Sequence, residues 1–184
     1  MPYIGGEEEK MEEETQKILG TLVDTRVQVA DFAVSAQCNR VPVVDGHTET
    51  LSIGLRQKAS PEEIMKVMSA FRGMPQKYKL PSAPPQPLLI MEEPDRPQPA
   101  RDVWLENGMA TLVGRVRTCP VLDIRMVILG HNTVRGAAGA AVLNGEALYK
   151  LGLLGDTPAK GIDLQEFKRR AAALHETHEL IAQR

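Results

Sequence analysis

Arg40 and His47 stand seven residues apart in the run Cys38-Asn39-Arg40-Val41-Pro42-Val43-Val44-Asp45-Gly46-His47-Thr48-Glu49. Arginine offers a planar fork of donors that fits a carboxylate or a phosphate. Histidine is the side chain suited to moving a proton near neutral pH. The Pro42 bend and the Asp45-Gly46 turn lie between them, and Asp45 and Gly46 read as turn formers rather than chemistry. By themselves the two residues fit a surface arginine and a turn histidine as well as an anion holder and a proton carrier.

Glu7 and Lys10 form a second pair. The i to i+3 spacing puts a carboxylate and an ammonium on one helix face. On composition alone this is a solvated acidic helix end, and Glu8 and Glu9 leave the register open. A third feature is the stretch His131-Asn132-Thr133-Val134-Arg135-Gly136-Ala137-Ala138-Gly139. A Gly/Ala-rich helix start brings backbone close to another helix or to a ligand. No Gly-x-Gly-x-x-Gly fingerprint occurs in the chain. Cys38 and Cys119 show no metal or redox spacing, so no metal site and no disulfide framework are expected. His131 reads as structural, and His175 and His178 as solvated on a charged terminal helix.

These residues need elements to hold them. Residues 7–19 read as a charged amphipathic helix stopped by Gly20. Residues 23–35 carry the β-branched character of a strand, and residues 48–55 those of a second. Ser60-Pro61-Glu62-Glu63 is a helix start with an N-cap, a first-turn proline and a capping box; that helix should reach about Phe71 and stop at Gly73. Residues 75–101 are proline-rich, which argues against helix and central strand. Leu88-Leu89-Ile90-Met91 is too apolar for a solvated linker, so a docked arm or an interface strand is expected there. Residues 109–117 and 123–129 are two more strands around a turn at Thr118-Cys119-Pro120. Residues 133–154 read as a small-residue helix and residues 164–183 as a charged one. The expected class is α+β, with a mixed, largely antiparallel sheet and helices on one face.

The chain has 184 residues, about two-fifths hydrophobic and a quarter charged, with a formal net charge of -2. That is enough for a real core, and it offers no broad basic field for nucleic acid. No apolar run approaches the ~20 residues of a membrane span, and the N-terminus reads as neither signal nor transit peptide. A cytoplasmic protein with reduced thiols is expected.

The arginine–histidine run, the Glu-x-x-Lys of Gly-Gly-Glu-Glu-Glu-Lys, the segment Glu92-Glu93-Pro94-Asp95-Arg96-Pro97-Gln98-Pro99 and the stretch from His131 together resemble the aspartate-semialdehyde dehydrogenases. The likeness is to the second half of those enzymes, in their archaeal and fungal branch, and reaches to about residue 155. It implies a fold like the C-terminal domain of glyceraldehyde-phosphate dehydrogenase-like enzymes. It divides the chain into a catalytic and dimerisation domain over residues 1–157 and a helical extension over residues 158–184.

The resemblance also assigns roles. Arg40 would bind the substrate α-carboxylate and Glu7 its ammonium group, with Lys10 serving the phosphate. His47 would be the acid/base partner of a cysteine nucleophile, and Asn132 and Gly136 would border the nicotinamide end of NADP. The substrate would be aspartyl phosphate, reduced with NADPH to aspartate semialdehyde and phosphate, for lysine, methionine and threonine synthesis. In the family the nucleophile sits in an Asn-Cys-Ser/Thr context within a preceding nucleotide-binding half. Cys38 follows Gln37 and Cys119 precedes Pro120, so neither matches. The chain alone is therefore expected to be inactive and to assemble as a homodimer or higher homo-oligomer. Two other readings are a non-catalytic dimerisation module and a related acyl-phosphate reductase.

Overall fold

The computed structural model describes residue 1 and residues 4–154. Two compact units divide between Val43 and Val44. The expected boundary at residue 157, the helix over residues 164–183, His175 and His178 lie outside the described residues.

In the first unit, α1 spans Glu7–Ile18, with Glu7, Glu8 and Glu9 in its first turn and Lys17 in its last. Those charges complement the helix dipole at both ends. The helix buries no residue. Polar side chains tie it down instead, spaced four apart along one face. Glu8 Oε1 accepts the Cys38 N–H at 2.7 Å, and Glu12 Oε1 accepts the Ala36 N–H at 2.7 Å. Gln16 donates Nε2–H to Phe32 O at 2.7 Å, and its own carbonyl accepts the Ala30 N–H at 2.9 Å.

The single strand expected over residues 23–35 is a hairpin followed by irregular chain. β1 (Thr21–Val23) and β2 (Arg26–Gln28) pair antiparallel, with Val23 opposite Arg26. Asp24 takes a left-handed φ of 53° in the two-residue turn between them, as such hairpin turns require. Beyond the hairpin, Ala30, Ala36 and Cys38 give their N–H groups to α1 rather than to a ladder.

The second unit is built on β3 (His47–Ile53), β4 (Leu88–Met91), β5 (Thr111–Thr118) and β6 (Ile124–Gly130). The sheet order is β3-β6-β5-β4; β4 and β5 run parallel and the other pairs antiparallel. Alternation along the strands separates two apolar faces. Val113, Ile124 and Met126 gather on one, with Leu51, Ile53, Ile90 and Ile128 around them. Helix α2 (Pro61–Ala70) covers that face through Ile64 and Met68. Leu112 and Leu129, both fully buried, join Val103 and Met91 on the other. Each such side chain contributes roughly 1.5–3 kcal/mol by leaving water. The architecture is α+β, as expected.

The α2 start is as read from the sequence: Ser60 Oγ accepts the Glu63 N–H, and the Glu63 carboxylate accepts the Ser60 N–H. The proline-rich stretch departs from expectation by containing two one-turn helices, α3 (Met74–Lys77) and α4 (Pro99–Asp102). Pro75 and Pro99 sit in their first turns, where a missing N–H costs no intrahelical bond. The apolar segment Leu88–Met91 is the parallel edge strand of the sheet, an edge position being the one a proline-flanked strand tolerates.

The small-residue helix begins with a π-type turn over Val134–Ala138 and continues as α5, Gly139–Lys150. A Cβ on Gly139 would come within 2.8 Å of Val134 O, so the widened turn depends on glycine there. Glu146 of α5 holds the proline-rich stretch by accepting Ser82 Oγ–H at 2.7 Å and Ser82 N–H at 3.0 Å. Among the described residues no helix is long and apolar enough to cross a membrane.

Candidate active site

Glu7, Lys10 and Arg40 fall in the first unit; His47, Asn132 and Gly136 fall in the second.

Within the first unit, Glu7 is half-buried and its Oε2 is shielded from solvent without a hydrogen-bond partner. A carboxylate oxygen so placed is costly unless a donor reaches it. The three consecutive glutamates differ in their surroundings. Glu8 is engaged with the Cys38 backbone and Glu9 is exposed. Lys10 is exposed and lies 3.8 Å from Glu14, a surface pair of small energetic weight. The Arg40 backbone is held by reciprocal bonds with Met1, both 2.9 Å, while the residue itself is exposed. The Val43 N–H donates to Val41 O at 2.9 Å and closes the bend around Pro42.

Within the second unit, His47 opens β3 opposite Gly130 and is exposed. Gly46, just before it, has a φ of 112°, a conformation that favours glycine. A Cβ there would stand 3.0 Å from Leu129 Cδ1 and 3.2 Å from Val103 Cγ2. Asn132 Oδ1 accepts the Gly46 N–H at 2.9 Å. The structure thus brings His47 and Asn132 together through one intervening peptide.

His131 is buried, and its Nδ1 accepts the N–H groups of Thr133 and Val134 at 3.2 and 3.3 Å. Its ring proton therefore sits on Nε2, which has no hydrogen-bond partner. The ring stands edge-on to Trp104, with centroids 4.3 Å apart. Gly136 is exposed and donates its N–H to His131 O at 3.0 Å; a Cβ there would meet that same oxygen at 3.6 Å, an ordinary contact. A groove of about 680 Å³ runs between the proline-rich stretch and the helix start, bordered by Ser82, Met109, Val134, Ala138 and Gly139.

Cys119 is buried at the β5–β6 turn, where the Leu122 N–H reaches its sulfur at 3.4 Å. That bond, then the Val121 N–H, the Ser52 hydroxyl and the Arg125 charge, hold its thiol below the usual cysteine range, against the opposing effect of burial. Cys119 nevertheless adjoins the start of β6, whereas His47 pairs with the last residue of β6. The length of that seven-residue strand, roughly 20 Å at ~3.4 Å per step, separates them. Cys38 Sγ lies 3.3 Å from Met11 Sδ. Among the described residues no group of three or more His, Cys, Asp or Glu side chains is placed to hold a metal.

Two arrangements were not read from the sequence. The Glu8, Glu12, Gln16 stripe was signalled only by its four-residue spacing. The link from Asn132 to Gly46 joins positions 86 apart in the chain, and no local pattern announces it.

Residues 1–135 match the family model described as semialdehyde dehydrogenase, dimerisation domain. The aspartate-semialdehyde dehydrogenase of Methanothermobacter thermautotrophicus is 48% identical over 82% of this chain and 44% of its own length. That of Schizosaccharomyces pombe is 46% identical over 84% of this chain and 44% of its own. The crystal structure of aspartate semialdehyde dehydrogenase with NADP from Candida albicans superposes with a TM-score of 0.78 at 41% identity, covering 84% of this chain and 45% of that one. The chain spans less than half the length of these relatives.

Proposed function

We propose, for a chain that belongs to the semialdehyde dehydrogenase family, that it supplies the substrate-holding and proton-handling side of aspartate-semialdehyde formation from aspartyl phosphate. The observation that carries this reading is the unpartnered, shielded Oε2 of Glu7. It is an acceptor that an amino acid's ammonium group would satisfy. A charge-assisted bond to a substrate accounts for an oxygen that no described residue pairs.

Each residue then has a defined task. Glu7 meets the substrate ammonium, and Arg40 grips the α-carboxylate with two parallel N–H bonds. Lys10 balances the charge of the phosphate, attacking or leaving. His47 takes the proton of a cysteine thiol through a ring nitrogen and returns a proton to the substrate oxygen. We place that thiol outside these 184 residues, because Cys119 is a strand's length from His47 and neither cysteine has the Asn-Cys-Ser/Thr context. Holding both charged ends of the amino acid fixes the carbonyl carbon for attack, the step where orientation counts most.

NADPH, when bound, supplies the hydride. Asn132 uses its Oδ1 on Gly46, and its Nδ2 donors suit a carboxamide oxygen. Gly136 offers exposed backbone. These residues fit the nicotinamide end only, since the sequence has no phosphate-cradling glycine fingerprint. A cytoplasmic setting and a homodimer or higher homo-oligomer complete the reading.

The test pairs binding with turnover on the purified chain. Aspartate semialdehyde, followed by calorimetry, should bind, and an N-acetylated analogue should not. Arg40→Lys and Glu7→Gln should each weaken binding at least tenfold. Phosphate-dependent NADP reduction should be negligible. Robust His47-dependent turnover by the chain alone would overturn the placement of the nucleophile, and equal binding of the acetylated analogue would overturn the role of Glu7.

A match to a dimerisation domain is also compatible with a second reading, a non-catalytic dimerisation module. A dimeric mass by light scattering with no heat on adding aspartate semialdehyde would select it.

A further inference from the structure

The β3–β6 ladder ends at the His47–Gly130 pair, because β6 stops at Gly130 and the chain turns away. His131 enforces that turn by accepting the backbone N–H groups of Thr133 and Val134 on its Nδ1. Ladder bonding ends there, yet one more N–H remains to be paired before β3 begins, that of Gly46. Its acceptor is a side chain, Asn132 Oδ1 at 2.9 Å. Gly46 is also confined by its φ of 112°, and the Leu129 and Val103 side chains stand 3.0 and 3.2 Å from where a Cβ would lie. The backbone entering His47 is therefore fixed on one side by the ladder and on the other by Asn132.

We infer that Asn132 is a positioning residue for His47, its Oδ1 replacing the missing ladder acceptor so that the imidazole leaves the strand in one direction. This rests on the reading of His47 as the proton carrier. It goes further by giving one amide two duties: Oδ1 fixes the histidine, and Nδ2 is left for the ligand. A general base must meet its proton at hydrogen-bond distance, so a peptide that swings ahead of His47 removes it from reach.

Hydrogen exchange and imidazole NMR on the full chain test this without any ligand. Asn132→Ala should speed exchange of the Gly46 amide about tenfold, the scale of one lost hydrogen bond. It should also average the His47 side-chain couplings over several rotamers, while the Leu112 and Leu129 amides keep their protection. Asn132→Asp retains an oxygen acceptor and should restore both signals. The inference is overturned if Gly46 exchange and the His47 couplings do not change in Asn132→Ala. It is equally overturned if Leu112 and Leu129 lose protection in step with Gly46, or if Asn132→Asp fails to rescue. Failure of the enzymatic reading would show instead as absent semialdehyde binding with the exchange pattern intact.

Discussion

Arg96 Nε donates to Asp102 Oδ2 at 2.7 Å, and a second Arg96 nitrogen reaches Asp102 Oδ1, beneath a surface that leaves Asp102 no solvent exposure at all. Asp102 also accepts the Gln98 N–H at 2.6 Å, so the carboxylate organises the loop that carries Val103 into the sheet face. Gly114 of β5 lies against this loop, where a Cβ would collide with Arg96 O.

Removing one member of such a pair leaves a buried charge unanswered. Asp102→Ala should cost about 3–5 kcal/mol. Urea unfolding should show the loss as a lower midpoint with an unchanged slope. A cost below about 1 kcal/mol would mean that Arg96 finds water or another acceptor.

Asp123 joins the β5–β6 turn to the end of β3. Its Oδ2 accepts the Leu55 N–H at 2.7 Å, and its Oδ1 meets the Lys58 ammonium. The Leu55 bond first, and then Lys58, hold this carboxyl below the usual range. The folded protein thus binds fewer protons here than the unfolded chain. The stabilisation is fully present above the ordinary aspartate value, about 3.9, and fades as pH falls through the lower folded value. Stability followed by circular dichroism from pH 6 to pH 2 should therefore fall more steeply for the wild type than for Asp123→Asn. Parallel curves would remove Asp123 from the acid response.

Ser60→Ala should destabilise the protein by about 1 kcal/mol through loss of the cap on Glu63 N–H. Thermal melting of the single variant measures it. Ser60→Asp should recover most of the loss, because a carboxylate caps the same N–H.

Glu12→Ala should raise exchange of the Ala36 amide about tenfold, and Glu12→Gln should not, because the glutamine keeps an oxygen at the same place. If both variants behave alike, the charge rather than the bond holds residues 30–38 to α1.

The parts legible in the sequence are those whose signals are local. Ser60, Pro61 and Glu63 announce α2 within four residues, and two apolar runs around the turn at Thr118-Cys119-Pro120 announce β5 and β6. Gly46 beside Asp45 announces a turn. What could not be read depends on partners distant in the chain. Nothing near Asp24-Thr25 distinguishes a hairpin from a continuing strand until Val23 is seen opposite Arg26. Nothing in Leu88-Leu89-Ile90-Met91 says that its ladder partner is β5, in parallel. Nothing local to Glu7, Glu8 and Glu9 says that Glu8 accepts the Cys38 amide, 30 residues away. The roles proposed for Arg40, Glu7, Lys10 and His47 rest on resemblance, because spacing alone does not separate a site from a solvated helix and a turn.

The tethering of α1 by Glu8, Glu12 and Gln16 has a calorimetric consequence. Of the described residues among the first 43, none is buried. Heat-capacity increments on unfolding follow the apolar area newly wetted, and this unit hides little of it. The curvature of the protein's stability with temperature therefore originates almost wholly in the sheet unit. Loss of order around Glu7 and Arg40 should leave the baseline heat capacity nearly flat while being plain to amide exchange.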